Sequence, residues 1–218
     1  MPLREAVRRA LLRTIHASDL VRRAWLGWLL PGLEIDASAA AAFGAARYNV
    51  APGGRVRIGP GVATEHRPGA LSFLVYAGGE IVVESGAWLR TEVAPVQLVA
   101  YPGARLVVGP QALLNGCTVS AKREVWIGRG ALIGPGARVY DADQHPLDRD
   151  HPERVEPVRI GEWAWVASDV TVTRGVTIGA HAVIGARSLV TDDVAPHTLA
   201  YGTPAEPRRR VGDRTEVF

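Results

Sequence analysis

Apolar positions in the second half of the chain recur every six residues. From residue 158 the sequence reads VRIGEWAWVASDVTVTRGVTIGAHAVIGARSLVTDDV, and steps of six from Ile160 meet Val166, Val172, Ile178, Ile184 and Val190. Two positions before the aliphatics lies a smaller class: Ala164, Val170, Val176, Ala182 and Ser188. Glycine follows at Gly161, Gly179 and Gly185. The frame reappears upstream as Ile127, Ile133 and Val139 with Ala131 and Ala137, as Val108 and Leu114 with Ala112, and as Val83 and Leu89 with Ala87. Ile58, followed by Gly-Pro-Gly-Val, is a further copy. A period of six is neither the helical 3.6 nor simple strand alternation. It predicts a mainly β hexapeptide solenoid, a parallel β-helix in which three hexapeptides form one triangular coil of about eighteen residues. The aliphatic points inward, the small residue sits near a corner, and glycine is expected to supply the turn conformation. An antiparallel sheet protein would not hold six-residue phase over this length.

The phase breaks between Val139 and Ile160. The intervening YDADQHPLDRDHPERVEP is too polar to bury, so residues 140–157 are expected to loop out of the prism. Residues 1–35 follow another rule. Leu3, Val7, Leu11 and Thr14/Ile15 form a helical stripe with Arg4, Arg8, Arg9 and Arg13 off it. Ser18 or Asp19 is placed to cap a second helix through Trp25 and Leu29, and Pro31-Gly32 ends it. A helical cap over the open end of the array is the expected role; arginines beside Trp25 and Trp28 also fit contact with a membrane surface. Residues 36–194 are expected to form the β-helix, with an irregular alanine- and glycine-rich start at 36–57. Residues 195–218 are expected to leave it as a loop and short helix.

Composition narrows the function. Apolar residues make up 47% of the 218, enough for a real core, and no run is long enough to span a membrane. No signal-peptide pattern opens the chain, so a cytoplasmic location is expected. The single cysteine, Cys117, excludes a disulfide framework and a multi-cysteine zinc site. A net charge of +3, without basic stretches interleaved with aromatics, gives no case for nucleic acid and suits one anionic small molecule.

The segment from Asn115 to Arg210 resembles the hexapeptide-repeat acyltransferases, most closely the galactoside and maltose O-acetyltransferases and related exopolysaccharide enzymes. The motifs are VWIGRGALIGPGARVY, DADQHPLD, PVRIGEWAWVASDV and AYGTPA, in matching order. The strand-crossover rule would favour right-handed coils; the resemblance implies a left-handed parallel β-helix. It also implies a homotrimer with active sites between subunits, acetyl-CoA as co-substrate and no metal. Acetyl transfer to a hydroxyl needs a base, an oxyanion site and a means of holding both substrates. The resemblance assigns the base to His145, histidine being the usual side chain for proton transfer near neutral pH, and the oxyanion contact to the main chain of Ser168. It places Ala186, Thr191 and Arg209 along the coenzyme A groove, and Asn115 on the acceptor. Trp165 is a candidate cover for acceptor or pantetheine, and Glu153 a candidate partner for His145. Where the galactoside enzymes carry an aspartate, this chain has Lys122-Arg123-Glu124, and Asp192 and Glu206 replace basic positions. The first of these departures raises an anionic acceptor as a hypothesis.

The expected function is therefore acetyl transfer from acetyl-CoA to a sugar or glycoside hydroxyl. N-acylation of an amino sugar uses the same fold and donor and is the main alternative; a non-catalytic β-helix scaffold is the other. A zinc carbonic anhydrase on this fold needs three clustered histidines. Of the six here, only His145 and His151 lie close in sequence.

Overall fold

The computed structural model describes residues 2–215, and within the first helix the side chains of Glu5 and of residues from 7 on. The side chains of Leu3 and Arg4 from the expected stripe lie outside the described residues. The chain is a left-handed parallel β-helix. Three parallel sheets of seven, eight and seven strands form the faces of a triangular prism, the eight-stranded one ending in an antiparallel hairpin. Each coil runs from the first sheet to the second and then the third. One such coil is Val158–Ile160, Trp165–Val166 and Thr171–Val172.

The six-residue frame maps directly onto burial. Ile160, Val166, Val172, Ile178 and Ile184 are fully buried, as are Ala164, Val170 and Ala182. Alternation within each short strand turns the intervening residue outward: Val158 and Ile160 are buried while Arg159 is exposed. Equivalent residues stack from coil to coil, so Ile127 lies beside Ile160, and Ile160 beside Ile178.

Glycine plays a different part from the one expected. Gly161, Gly179 and Gly185 do not supply the left-handed turn conformation. They allow the next coil to approach: a Cβ on Gly161 would stand 2.5 Å from Ala180 N, and one on Gly179 2.3 Å from Pro196 N. The left-handed residue comes two positions later, as Trp163 (φ 56°), His181 (φ 58°) and Arg187 (φ 61°). Close approach constrains the sequence more tightly there than turn strain does.

Both ends differ from expectation. The N-terminus is one helix, α1 (Pro2–Leu29), because nothing between Ile15 and Arg22 breaks it. Ser18 donates to the Ile15 carbonyl, and Asp19 is buried against His66 (2.6 Å) instead of capping. Arg23 fastens the helix by donating to the carbonyls of Ala39 (2.7 Å) and Asp36 (2.9 Å). In the first coil a 3-10 helix, Ala41–Ala45, stands where the second sheet would have a strand. Its Gly44 packs so closely on α1 that an added Cβ would meet the Asp19 carbonyl at 2.2 Å. At the other end the expected short helix is a hairpin, Thr198–Gly202 with Ala205–Arg210, which extends the second sheet.

Two substitutions test this account of the repeat. Gly161→Ala, at the close approach, is expected to cost at least about 2 kcal/mol, whereas Arg187→Gly, at an exposed left-handed turn, should change stability by less than about 1 kcal/mol. Thermal melting of both variants reads the difference, and equal losses would contradict it.

Candidate functional site

The candidate residues occupy two different edges of the prism. Asn115, Ser168 and Ala186 lie on the edge between the second and third sheets: Asn115 ends the strand Leu113–Asn115, and Ser168 and Ala186 come just after Trp165–Val166 and Val183–Ile184. Backbone hydrogen bonds stack this edge into a column: Gly136 N–H donates to Gly116 O (2.8 Å), Asp169 N–H to Pro135 O (2.9 Å) and Arg187 N–H to Ser168 O (2.9 Å). Among the described residues, the Ser168 and Ala186 N–H groups have no acceptor. The equivalent amides of Glu162 and Ala180 on another edge are also free. The fold therefore offers such donors as a rule, and a free amide does not by itself mark Ser168. Asn115 Oδ1 is buried without a hydrogen-bond partner among the described residues, which leaves an acceptor at this edge to be satisfied from outside the chain. Cys117, two residues on, is no candidate nucleophile, since burial pushes its thiol up to about 12.

Trp165 projects from the second sheet and is 38% exposed. The Arg214 guanidinium lies over its ring at 5.3 Å, and Arg214 Nε donates to Trp163 O at 3.2 Å. Arg209 is exposed on the hairpin of the same sheet, next to Arg208, which packs over Tyr201 and pairs with Glu206.

His145 belongs to the other edge, between the third and first sheets. The loop leaves the prism after Arg138–Tyr140 and returns at Val158–Ile160. Its base is Asp141, fully buried, whose carboxylate accepts from the main-chain N–H groups of Lys122 (2.7 Å), Arg123 (2.7 Å) and Glu124 (2.8 Å). The Ala142–Val155 bridge closes its neck, and Arg174 Nε lies 2.7 Å from Asp143 Oδ1, though not in line for a good hydrogen bond. That contact holds the Asp143 carboxyl below the usual carboxylate range. Lys122 anchors the segment before His145, donating to Gln144 O (3.1 Å) and Glu153 Oε1 (2.6 Å) while sitting over the Tyr101 ring (4.9 Å). The His145 ring itself is exposed. Glu153, the candidate partner of His145, is thus engaged by Lys122. His151 is held by Asp148, and among the described residues no cluster of three His, Cys, Asp or Glu is arranged to hold a metal ion. Thr191 lies at the same edge as the loop and donates to Asp192 (2.7 Å).

One chain therefore brings Asn115, Ser168 and Ala186 together and sets His145 apart from them. The clamping roles of Lys122 and Asp141 are what residue patterns did not show. The signal for Lys122 was its being the only lysine in an otherwise all-arginine chain. Its charge is answered by Glu153.

Known proteins bear on this arrangement. No family model matches the chain. It is 36% identical over 98 residues to the galactoside O-acetyltransferase of Escherichia coli, covering 43% of this chain and 48% of that protein. It is 35% identical over 94 residues to the galactoside O-acetyltransferase of Lactococcus lactis, covering 41% of this chain and 45% of that protein. The alignments thus span about half the length of these curated relatives. The crystal structure of the polySia specific acetyltransferase NeuO superposes with a TM-score of 0.61 over 85% of this chain and 83% of that one. At 20% identity this is likeness of fold.

The loop clamp makes a direct prediction. Asp141→Asn places an amide N–H against a main-chain donor and should destabilise the loop base by about 1–3 kcal/mol. Faster tryptic cleavage at the exposed Arg149 than in the parent protein would be seen; unchanged cleavage would show that the loop does not depend on Asp141.

Proposed function

We propose that the protein is a coenzyme A-dependent O-acetyltransferase acting on a sugar or glycoside-like hydroxyl, within a homotrimer whose active sites lie between neighbouring copies. The observation that carries this reading is the separation of the two edges. A clamped loop presents His145 at one, while Asn115 with its unsatisfied oxygen and the free Ser168 amide line another. A rigid prism cannot fold one edge onto the other. A second copy, set edge to edge, supplies the missing half. Similarity to galactoside O-acetyltransferases over somewhat less than half of the chain supports the chemistry.

In the proposed mechanism acetyl-CoA lies along the edge marked by Ser168 and Ala186, with Arg209 as a further contact and Thr191 reached on the His145 edge of the neighbouring copy. Asn115 and Trp165 orient the acceptor. Neutral His145 removes the acceptor hydroxyl proton as the oxygen attacks the thioester carbonyl. The Ser168 N–H receives the oxyanion of the tetrahedral intermediate. Collapse breaks the carbon–sulfur bond, and the proton on His145 passes to the departing thiolate. The products are an acetyl ester and free coenzyme A.

Acceptor-dependent thiol release from acetyl-CoA, over a panel of neutral, acidic and amino sugars, tests the reaction. Hydroxyl acceptors are expected to support release; release with amino sugars only would reassign the chemistry to N-acylation. His145→Ala is expected to lower the rate by about 10²–10⁴-fold without loss of fold, and retention of most activity would refute the base assignment. Lys122→Met is expected to lower kcat through misplacement of His145, while the melting temperature changes little. Mixing His145→Ala protomers with Asn115→Ala protomers should restore part of the activity if sites span two chains. Absence of recovery in confirmed mixed assemblies would show that each site is built within one chain.

A further inference from the structure

Helix α1 carries an apolar face that no part of the fold uses. Val7, Leu11, Val21, Trp25, Trp28 and Leu29 are all exposed, Trp28 at 79%. They fall within an uncharged arc of about 140° around the helix axis. The other side is fixed to the body through buried Asp19, the Arg23 hydrogen bonds and the close packing of Gly44. The apolar face is thus held outward by its attachment.

Charge says what lies against it. The two carboxylates of the helix are both taken, Glu5 by Arg9 and Asp19 by His66. Arg13 and Arg22 are exposed and flank the uncharged arc. Val7, Leu11, Val21, Trp25 and Trp28 keep the four-three spacing of a coiled-coil seam, but cations border the face, which in a seam between two copies would set like charges against each other. Tryptophans with a rim of arginine are the composition of a helix lying in the boundary between lipid headgroups and acyl chains. We propose that α1 docks the protein on an anionic lipid surface, with Trp25 and Trp28 in the boundary region and Arg13 and Arg22 against lipid phosphates. The inference does not rest on the acyl-transfer reading, and its test does not use activity.

The experiment is sedimentation of the full chain with phosphatidylcholine vesicles, with and without about 30% phosphatidylglycerol. Binding to the anionic vesicles is expected, weakened in about 1 M salt. Arg13→Gln and Arg22→Gln should each lower the partition coefficient about fivefold, and Trp28→Ala about tenfold or more. Arg138→Gln, exposed on the third sheet, should leave it unchanged. Lack of binding, equal binding to both vesicle types, or indifference to Trp28→Ala overturns the proposal. So does a Trp28→Glu variant that dissociates the assembly in light scattering, because another copy would then cover the face.

Discussion

Strands of two or three residues cannot stand alone. In this protein each is held by backbone hydrogen bonds to the coils above and below it, and everything else depends on that stacking. Register between coils must be kept at every step, because a slip of one residue would turn Arg159 inward and Ile160 outward. Close stacking in turn excludes side chains where coils approach, which is why Gly161, Gly179 and Gly185 are glycine. The same rule leaves two open ends. At one, α1 and the 3-10 helix cover the first coil; at the other, an antiparallel hairpin takes the last strand positions.

A scaffold this constrained has few places for chemistry. Inward positions are filled, and outward positions on the first sheet are largely occupied by paired charges such as Arg57–Glu80 and Glu124–Arg159. The edges remain, where the main chain turns and amides are left free. An excursion from an edge must also be tied down, or the side chains it carries would be poorly placed. Asp141 does this by accepting three main-chain N–H groups, and Lys122 does it by bridging Gln144 and Glu153. Three elements distant in sequence converge here: the strand end at Ala121, the loop, and the turn bearing Arg174.

The legible part of the sequence was the part governed by repetition. Spacing alone located the inward aliphatics from Val83 to Val190, and polarity alone located the excursion of residues 140–157. Local signals failed where long-range packing decided. Ser18 and Asp19 have the chemistry of helix caps, yet Asp19 is needed as a buried partner for His66, and the helix runs on. The tail is punctuated like a loop but pairs as a hairpin because the open edge of the second sheet offers hydrogen bonds. Glu153 is near His145 in sequence, but Lys122 claims it. None of these pairings has a periodic signature, so each became visible only in three dimensions.

Trp165 illustrates how such a scaffold is tuned. The strand beneath it is fixed by its neighbours, with Trp165 between Leu132 and Val183, so its backbone cannot shift to suit a ligand. What varies is what lies on the ring. Here the C-terminal segment crosses the edge between the first and second sheets, with Arg214 N–H donating to His181 Nδ1 (3.1 Å) and its guanidinium lying over the indole. Desolvation there presses the Arg214 pKa down, a sign of how closely it is packed. An acceptor using Trp165 would meet a ring already partly covered by a cation. In this architecture the surroundings of an outward side chain are set by segments laid across the prism, because the prism itself does not yield.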